Sequence, residues 1–94
     1  MSQPITSDTI AKHADKVIWS RIDDDAIVLN LKTGYYYTLN SVGRDMWKLF
    51  DGEHTVRDIG MVLCEEYDVD LHQLEHDILA LLRDCKKEHL ITIV

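Results

Sequence analysis

Apolar residues alternate along the first half of the chain and recur every three to four positions along the second. The pattern predicts strands first and helices after them. Lys16–Ile22 is rich in β-branched and aromatic residues, with Val17 and Trp19 on one face and Ile18 and Ser20 on the other. Asp23-Asp24-Asp25 reads as a solvated turn. Ala26–Lys32 alternates again, Ile27, Leu29 and Leu31 pointing one way and Ala26, Val28, Asn30 and Lys32 the other. Thr33-Gly34 fits a two-residue hairpin loop in which Gly34 supplies the positive φ, and Tyr35–Leu39 returns as a third strand. Two short hairpins in succession make a three-stranded antiparallel meander. Residues 1–15, polar with scattered apolar positions, are expected to form a flexible N-terminal arm before a domain spanning 16–94.

The period then changes. Asn40 and Ser41 are good N-caps, and a helix is predicted over Val42–Phe50, stopped by Asp51-Gly52. A second helix starts at Thr55, with Asp58 three residues on as a capping box; its buried stripe is Val56, Ile59, Val62, Leu63 and Tyr67. Asp70 and Gln73 repeat the capping pattern for a third helix running to about Glu88, whose stripe is Leu71, Leu74, Ile78, Leu81, Leu82 and Cys85. Leu90–Val94 is apolar and β-branched, either a last short strand or a tail packed on the core. The expected fold class is α+β: a winged helix-turn-helix, three-stranded antiparallel meander followed by three helices.

The tract Gly34–Gly43 contains no charged residue. Sheets usually protect an edge strand with lysine, proline or a bulge, because its unpaired backbone groups will pair with any extended chain. In a meander the first and third strands are the edges, and the third, with its three tyrosines, is unprotected. Aromatics suit strands, and one face of the tyrosine run belongs to the core. Three in a row leave at least one outside it. An open, neutral, aromatic edge suits addition of a guest strand, and it also permits self-association through the edge strand. Leu79 lies off the centre of the third helix's stripe, beside Leu82, Arg83, Glu75 and Lys86. It either widens the core face or lines a groove between helix and strand.

Composition narrows the partners. Ninety-four residues with 46% hydrophobic and 29% charged positions make one small globular domain. The net charge of −7 argues against a nucleic-acid partner and against anionic lipid. The third helix carries Asp70, Glu75, Asp77, Asp84 and Glu88 against Arg83, Lys86 and Lys87, a poor match for a phosphate groove. No apolar run is long enough to span a bilayer, and the N-terminus lacks the pattern of a secretory signal. Cys64 and Cys85 read as buried thiols of a reducing, cytoplasmic setting, with a disulfide between helices as the lesser alternative.

Catalytic constellations are weak. His72-Gln73-Leu74-Glu75-His76 matches H-x-x-E-H, an inverted zinc-peptidase pattern, but it falls largely on a polar helix face and no third ligand is evident. Asp23–Asp25 lacks the glycine and distal glutamate of a calcium loop. Cys85 falls on the core stripe and Cys64 lies amid Leu63, Glu65 and Glu66, so neither points to the electropositive setting of a nucleophilic thiol. The chain is read as non-catalytic, without metal or cofactor.

The segment Ala26–Trp47 (AIVLNLKTGYYYTLNSVGRDMW) comes first in an ordered set. The Asp51-Gly52 stop, the Thr55-Val56 helix start, the Tyr67-Asp68-Val69-Asp70 turn and the Leu74–Leu82 helix follow. The set resembles the PqqD-like proteins, which are RiPP recognition elements, over about Lys16 to Ile91. The stand-alone length is most similar to the discrete leader-peptide-binding subunit of lasso-peptide biosynthesis; PqqD of pyrroloquinoline quinone synthesis is the near alternative. The resemblance implies a peptide chaperone. A precursor's leader adds antiparallel to the third strand and packs on the third helix, and the precursor is presented to a leader peptidase, or to a radical SAM enzyme in the alternative. Lasso leaders typically anchor through a tyrosine and a proline. Carried over by position, the peptide-binding residues are Tyr35, Tyr36, Tyr37, Thr38 and Leu39 on the strand. On the helix they are Leu74, Glu75, Ile78, Leu79, Leu82, Arg83 and Lys86. An acidic winged-helix regulatory or protein-interaction module is the rival reading.

Overall fold

The computed structural model describes residues 4–94. Its elements are β1 (Ile10–His13), β2 (Val17–Ile22), β3 (Asp25–Asn30), β4 (Tyr36–Leu39), α1 (Ser41–Lys48), β5 (Asp51–Thr55), α2 (Val56–Tyr67), α3 (Leu71–Lys87) and β6 (Ile91–Ile93). The strands form two antiparallel three-stranded sheets, ordered β2-β3-β4 and β5-β1-β6.

The first sheet is the expected meander. Its inner face carries Trp19, Val28 and Tyr37 in register, with Ala26 opposite Leu39, and the alternation buries Ala26, Val28 and Asn30. The hairpin between β3 and β4 is longer than the expected two residues. Asn30 N–H donates to the Tyr35 carbonyl at 2.9 Å and Gly34 N–H to the Asn30 carbonyl at 2.8 Å, so Leu31–Gly34 make the connection. Asn30 explains the difference. Its buried side chain accepts from Lys32 N–H at 2.9 Å and donates to the Glu88 carbonyl at 3.2 Å, which folds the chain into a wider turn. Gly34 does take positive φ, +78°.

The second sheet corrects the sequence reading. Part of the expected N-terminal arm is a strand, and it is the central one: β1 pairs with β5 on one side and with β6 on the other. Residues 1–3 of that arm lie outside the described residues. Ile10 marks a point of order within that arm, but four residues carry too little periodicity to predict a strand, and both of its partners come from far along the chain. Likewise Asp51-Gly52 does not simply end a helix. The helix stops at Lys48 and Gly52, at φ +83°, lies within β5.

The helix caps follow the sequence. Thr55 and Asp58 form a reciprocal capping box, and Asp70 accepts from Gln73 N–H at 3.2 Å. The core joins Trp47 and Phe50 to Val56, Ile59 and Leu63 of α2 and to Leu74, Ile78, Leu82 and Cys85 of α3. Val62, expected in the stripe of α2, is instead exposed. The helices α2 and α3 cross closely at Gly60, where a Cβ would come within 2.9 Å of Leu71 Cδ1. The two cysteines are free thiols, and burial pushes Cys85 up to about 12. Among the described residues, no helix is long and apolar enough to cross a membrane.

Candidate functional site

The strand β4 is an edge. It pairs with β3 only, through Ala26–Leu39, Ile27–Thr38, Val28–Tyr37 and Leu29–Tyr36. In an antiparallel ladder, bonded and non-bonded pairs alternate. The hydrogen bond from Asn30 to Tyr35 sets the phase. Tyr37 and Leu39 turn their backbone groups toward β3, and Tyr36 and Thr38 turn theirs outward. No described strand occupies that side. Its side chains alternate as well: Tyr37 and Leu39 are half-buried against the core, while Tyr36 is 67% exposed. Tyr35 lies just before the strand, at the end of the hairpin connection, and is also exposed.

Beside this edge runs a cleft of about 490 Å³, lined by Thr38, Leu39, Asn40, Val42, Gly43 and Met46 on one side and by Asp77 and Leu81 of α3 on the other. Local sequence builds it. Asn40 caps α1 by accepting from Gly43 N–H at 2.9 Å, so the helix starts directly after the strand. At Gly43 a Cβ would stand 3.3 Å from Asn40 Oδ1 and 3.4 Å from Leu39 Cβ; glycine leaves room for the helix to fold back on the strand end. Farther along, the Tyr37 hydroxyl donates to Glu88 Oε2 at 2.7 Å and ties β4 to the end of α3. That hydrogen bond raises the phenol above its ordinary pKa, with desolvation adding to it. The cleft is apolar at Leu39, Val42, Met46 and Leu81. Its charged group is Asp77, which accepts from Gln73 Nε2 at 3.0 Å.

The helix residues expected from sequence divide otherwise. Leu74, Ile78 and Leu82 are 2%, 0% and 1% exposed. They face the core and present no surface to a peptide. Glu75 faces α2, with Oε1 3.8 Å from Arg57 Nε, and Leu79, one turn on, is half-buried along the same side of the helix. Arg83 is exposed and Lys86 half-buried, both a large rotation away from Asp77 and Leu81. None of the expected helix residues lines the cleft beside β4. The helix face that β4 meets carries Asp77, Leu81 and Glu88. Their i, i+4, i+11 spacing was legible, but helical periodicity alone does not say which flank of a buried stripe lies next to a strand.

Among the described residues, no three His, Cys, Asp or Glu side chains are grouped to hold a metal. His72 and His76 are exposed on α3 while Glu75 turns to α2. The site offers an unpaired backbone ladder, exposed tyrosines and an apolar cleft.

The family described as coenzyme PQQ synthesis protein D (PqqD) matches residues 25–91, a span holding the meander's last two strands, the cleft and all three helices. No curated protein matches significantly. Among solved structures, TbiB1 in complex with the TbiA(beta) leader peptide is 34% identical, with 85% of this chain and 93% of that one covered at a TM-score of 0.78. A lasso peptide synthetase B1 complexed with its leader peptide is 22% identical over 87% and 96% of the two chains, TM-score 0.79. The PqqD truncation of Methylobacterium extorquens PqqCD, described as a stand-alone RiPP recognition element, is 21% identical over 95% of each, TM-score 0.81.

Proposed function

The chain belongs to the PqqD family, and from that premise we propose that it is a non-catalytic RiPP recognition element. It captures the leader of a ribosomally made precursor, of the lasso-peptide class, and hands the precursor to a leader peptidase. The observation that carries this reading is the open, uncharged β4 edge beside the α3 cleft. The meander beside α2 and α3 is then a winged helix-turn-helix turned to peptide rather than to DNA. A leader laid antiparallel along β4 bonds to the outward backbone groups of Tyr36 and Thr38. It sinks alternate side chains into the cleft, against Leu39, Val42 and Leu81. Asp77 accepts a hydroxyl or cationic group of the leader. Two to four backbone hydrogen bonds at about 1 kcal/mol each and two apolar anchors at about 1.5–3 kcal/mol each offset the ordering of a flexible peptide. The expected affinity is micromolar to nanomolar.

Isothermal titration with the leader encoded beside this chain is the direct test. Binding is expected, and Thr38→Pro, which removes one outward donor from an edge that tolerates proline, should weaken it at least about tenfold, or ~1.4 kcal/mol. Leu81→Asp should do the same, whereas Arg83→Ala, on the far side of α3, should not. Absence of both heat and chemical-shift change with such a leader would defeat the proposal.

A further inference from the structure

The face of the β2-β3-β4 sheet turned away from the helices is apolar, and no described residue covers it. Ile18, Leu29 and Tyr36 stand in one row across the three strands, with Ser20, Ile27 and Thr38 in the next. Ile18 is 53% exposed, Ile22 47%, Leu31 54% and Tyr36 67%. Leader capture as read above uses the edge of this sheet and its inner cleft and leaves this face unexplained.

We propose that a second copy of this chain covers it, the two sheets packing face to face at about 10 Å. Two observations select that occupant. The first is size. Ile18, Ile22, Leu31 and Tyr36, with half-buried Ile27 and Leu29, offer on the order of 500–600 Å² per copy, near the lower bound of what one partner of a standard interface buries.

The second is charge. The strands run between a basic end, with exposed Lys16 and Lys32, and an acidic end, the exposed turn Asp23-Asp24-Asp25. Asp15 near Lys16, and Arg21 and Arg44 near Asp24, temper each end without reversing it. Two copies of one face meet about a two-fold axis lying between them. An axis along the strands would stack acid on acid. An axis across the strands lays each acidic turn over the partner's lysines, and the charge pattern selects it. That arrangement puts β4 over β4 with both outer edges open, so the dimer takes up a leader on each copy. It differs from pairing through the β4 edges themselves, which would block the leader. The inference does not depend on leader binding.

Sedimentation velocity at about 0.15 M salt, where net repulsion is screened beyond about 8 Å, reads the outcome. The chain should pass from single to double mass as concentration rises from micromolar toward millimolar. Ile18→Asp should raise the dimer dissociation constant at least tenfold with the helical circular dichroism unchanged. Asp24→Lys and Lys32→Glu should each weaken the dimer, and the double variant, which sets an opposite-charge pair across the axis again, should recover most of the loss. Single mass at every concentration overturns the proposal. So does a dimer that survives Ile18→Asp, since the copies would then pair elsewhere.

Discussion

Three consecutive tyrosines hold three different positions. Tyr35 ends the hairpin connection, Tyr36 lies on the uncovered face, and Tyr37 reaches inward to Glu88. The alternation of a strand makes the last two opposite, and that much was legible in the sequence. What Tyr37 would bond to was not, because Glu88 is 51 residues away. Changing Tyr37 to Phe removes the tie between β4 and α3 while keeping the ring in the core. Hydrogen exchange should then quicken at the β4 amides and leader affinity fall several-fold, with little change at the α2 amides. Which flank of α3 lies beside β4 was illegible for a related reason. Sequence marks which positions of α3 are apolar, but the neighbour of each flank is fixed by the crossing with α2. Gly60 brings that crossing close, and nothing in the α3 stripe points to Gly60.

At the scale of elements, the caps and the meander were the most legible parts, since each rests on interactions within a few residues. Thr55→Ala breaks the capping box of α2 and should cost about 1 kcal/mol in chemical denaturation. Gly60→Val should cost more, about 1–3 kcal/mol, because the added methyls meet Leu71 and Ile78 at a crossing that already lacks room for a Cβ. The β5-β1-β6 sheet was the least legible. Its strands are short and their ladders join distant segments: the β-branched run at Leu90–Val94 offered β6 as one alternative, but neither periodicity nor turn chemistry announces β1 and β5. A further tie, also invisible in sequence, holds α1 between the meander and α2. Arg44 Nη1 donates to the Asp24 carbonyl at 2.6 Å and Nη2 to Asp45 Oδ1 at 3.1 Å, while Asp45 accepts the Tyr67 hydroxyl. Burial alone would raise the Asp45 carboxyl, but the hydrogen bonds from Tyr67 and Arg44 hold it below its ordinary value.

For the whole molecule, those ionisations set an acid limit. His13 of β1 stacks on Trp47 with ring centres 3.9 Å apart, and its Nε2–H donates to the Trp47 carbonyl at 2.8 Å. Burial lowers its pKa from the ordinary 6.5, against the smaller opposing pull of the Trp47 carbonyl and Asp51. Below 6.5 the unfolded chain therefore takes up a proton that the folded chain resists. The stabilising contribution of neutral His13 is complete above that pH and declines as pH falls through it toward the folded value. Asp45, lowered rather than raised by folding, adds a second loss as pH drops below the carboxylate range. Urea midpoints should fall between pH 7 and 5, and His13→Phe, which keeps the stack, should flatten that decline.

The ladder that pairs Ala11 with Ile93 also imposes an order in time. The first-made of these strands must wait on the ribosome, without one of its two neighbours, until β6 has emerged. The meander and its helix contacts, closed by nearer segments, can form ahead of it, so folding should finish where synthesis of the domain began.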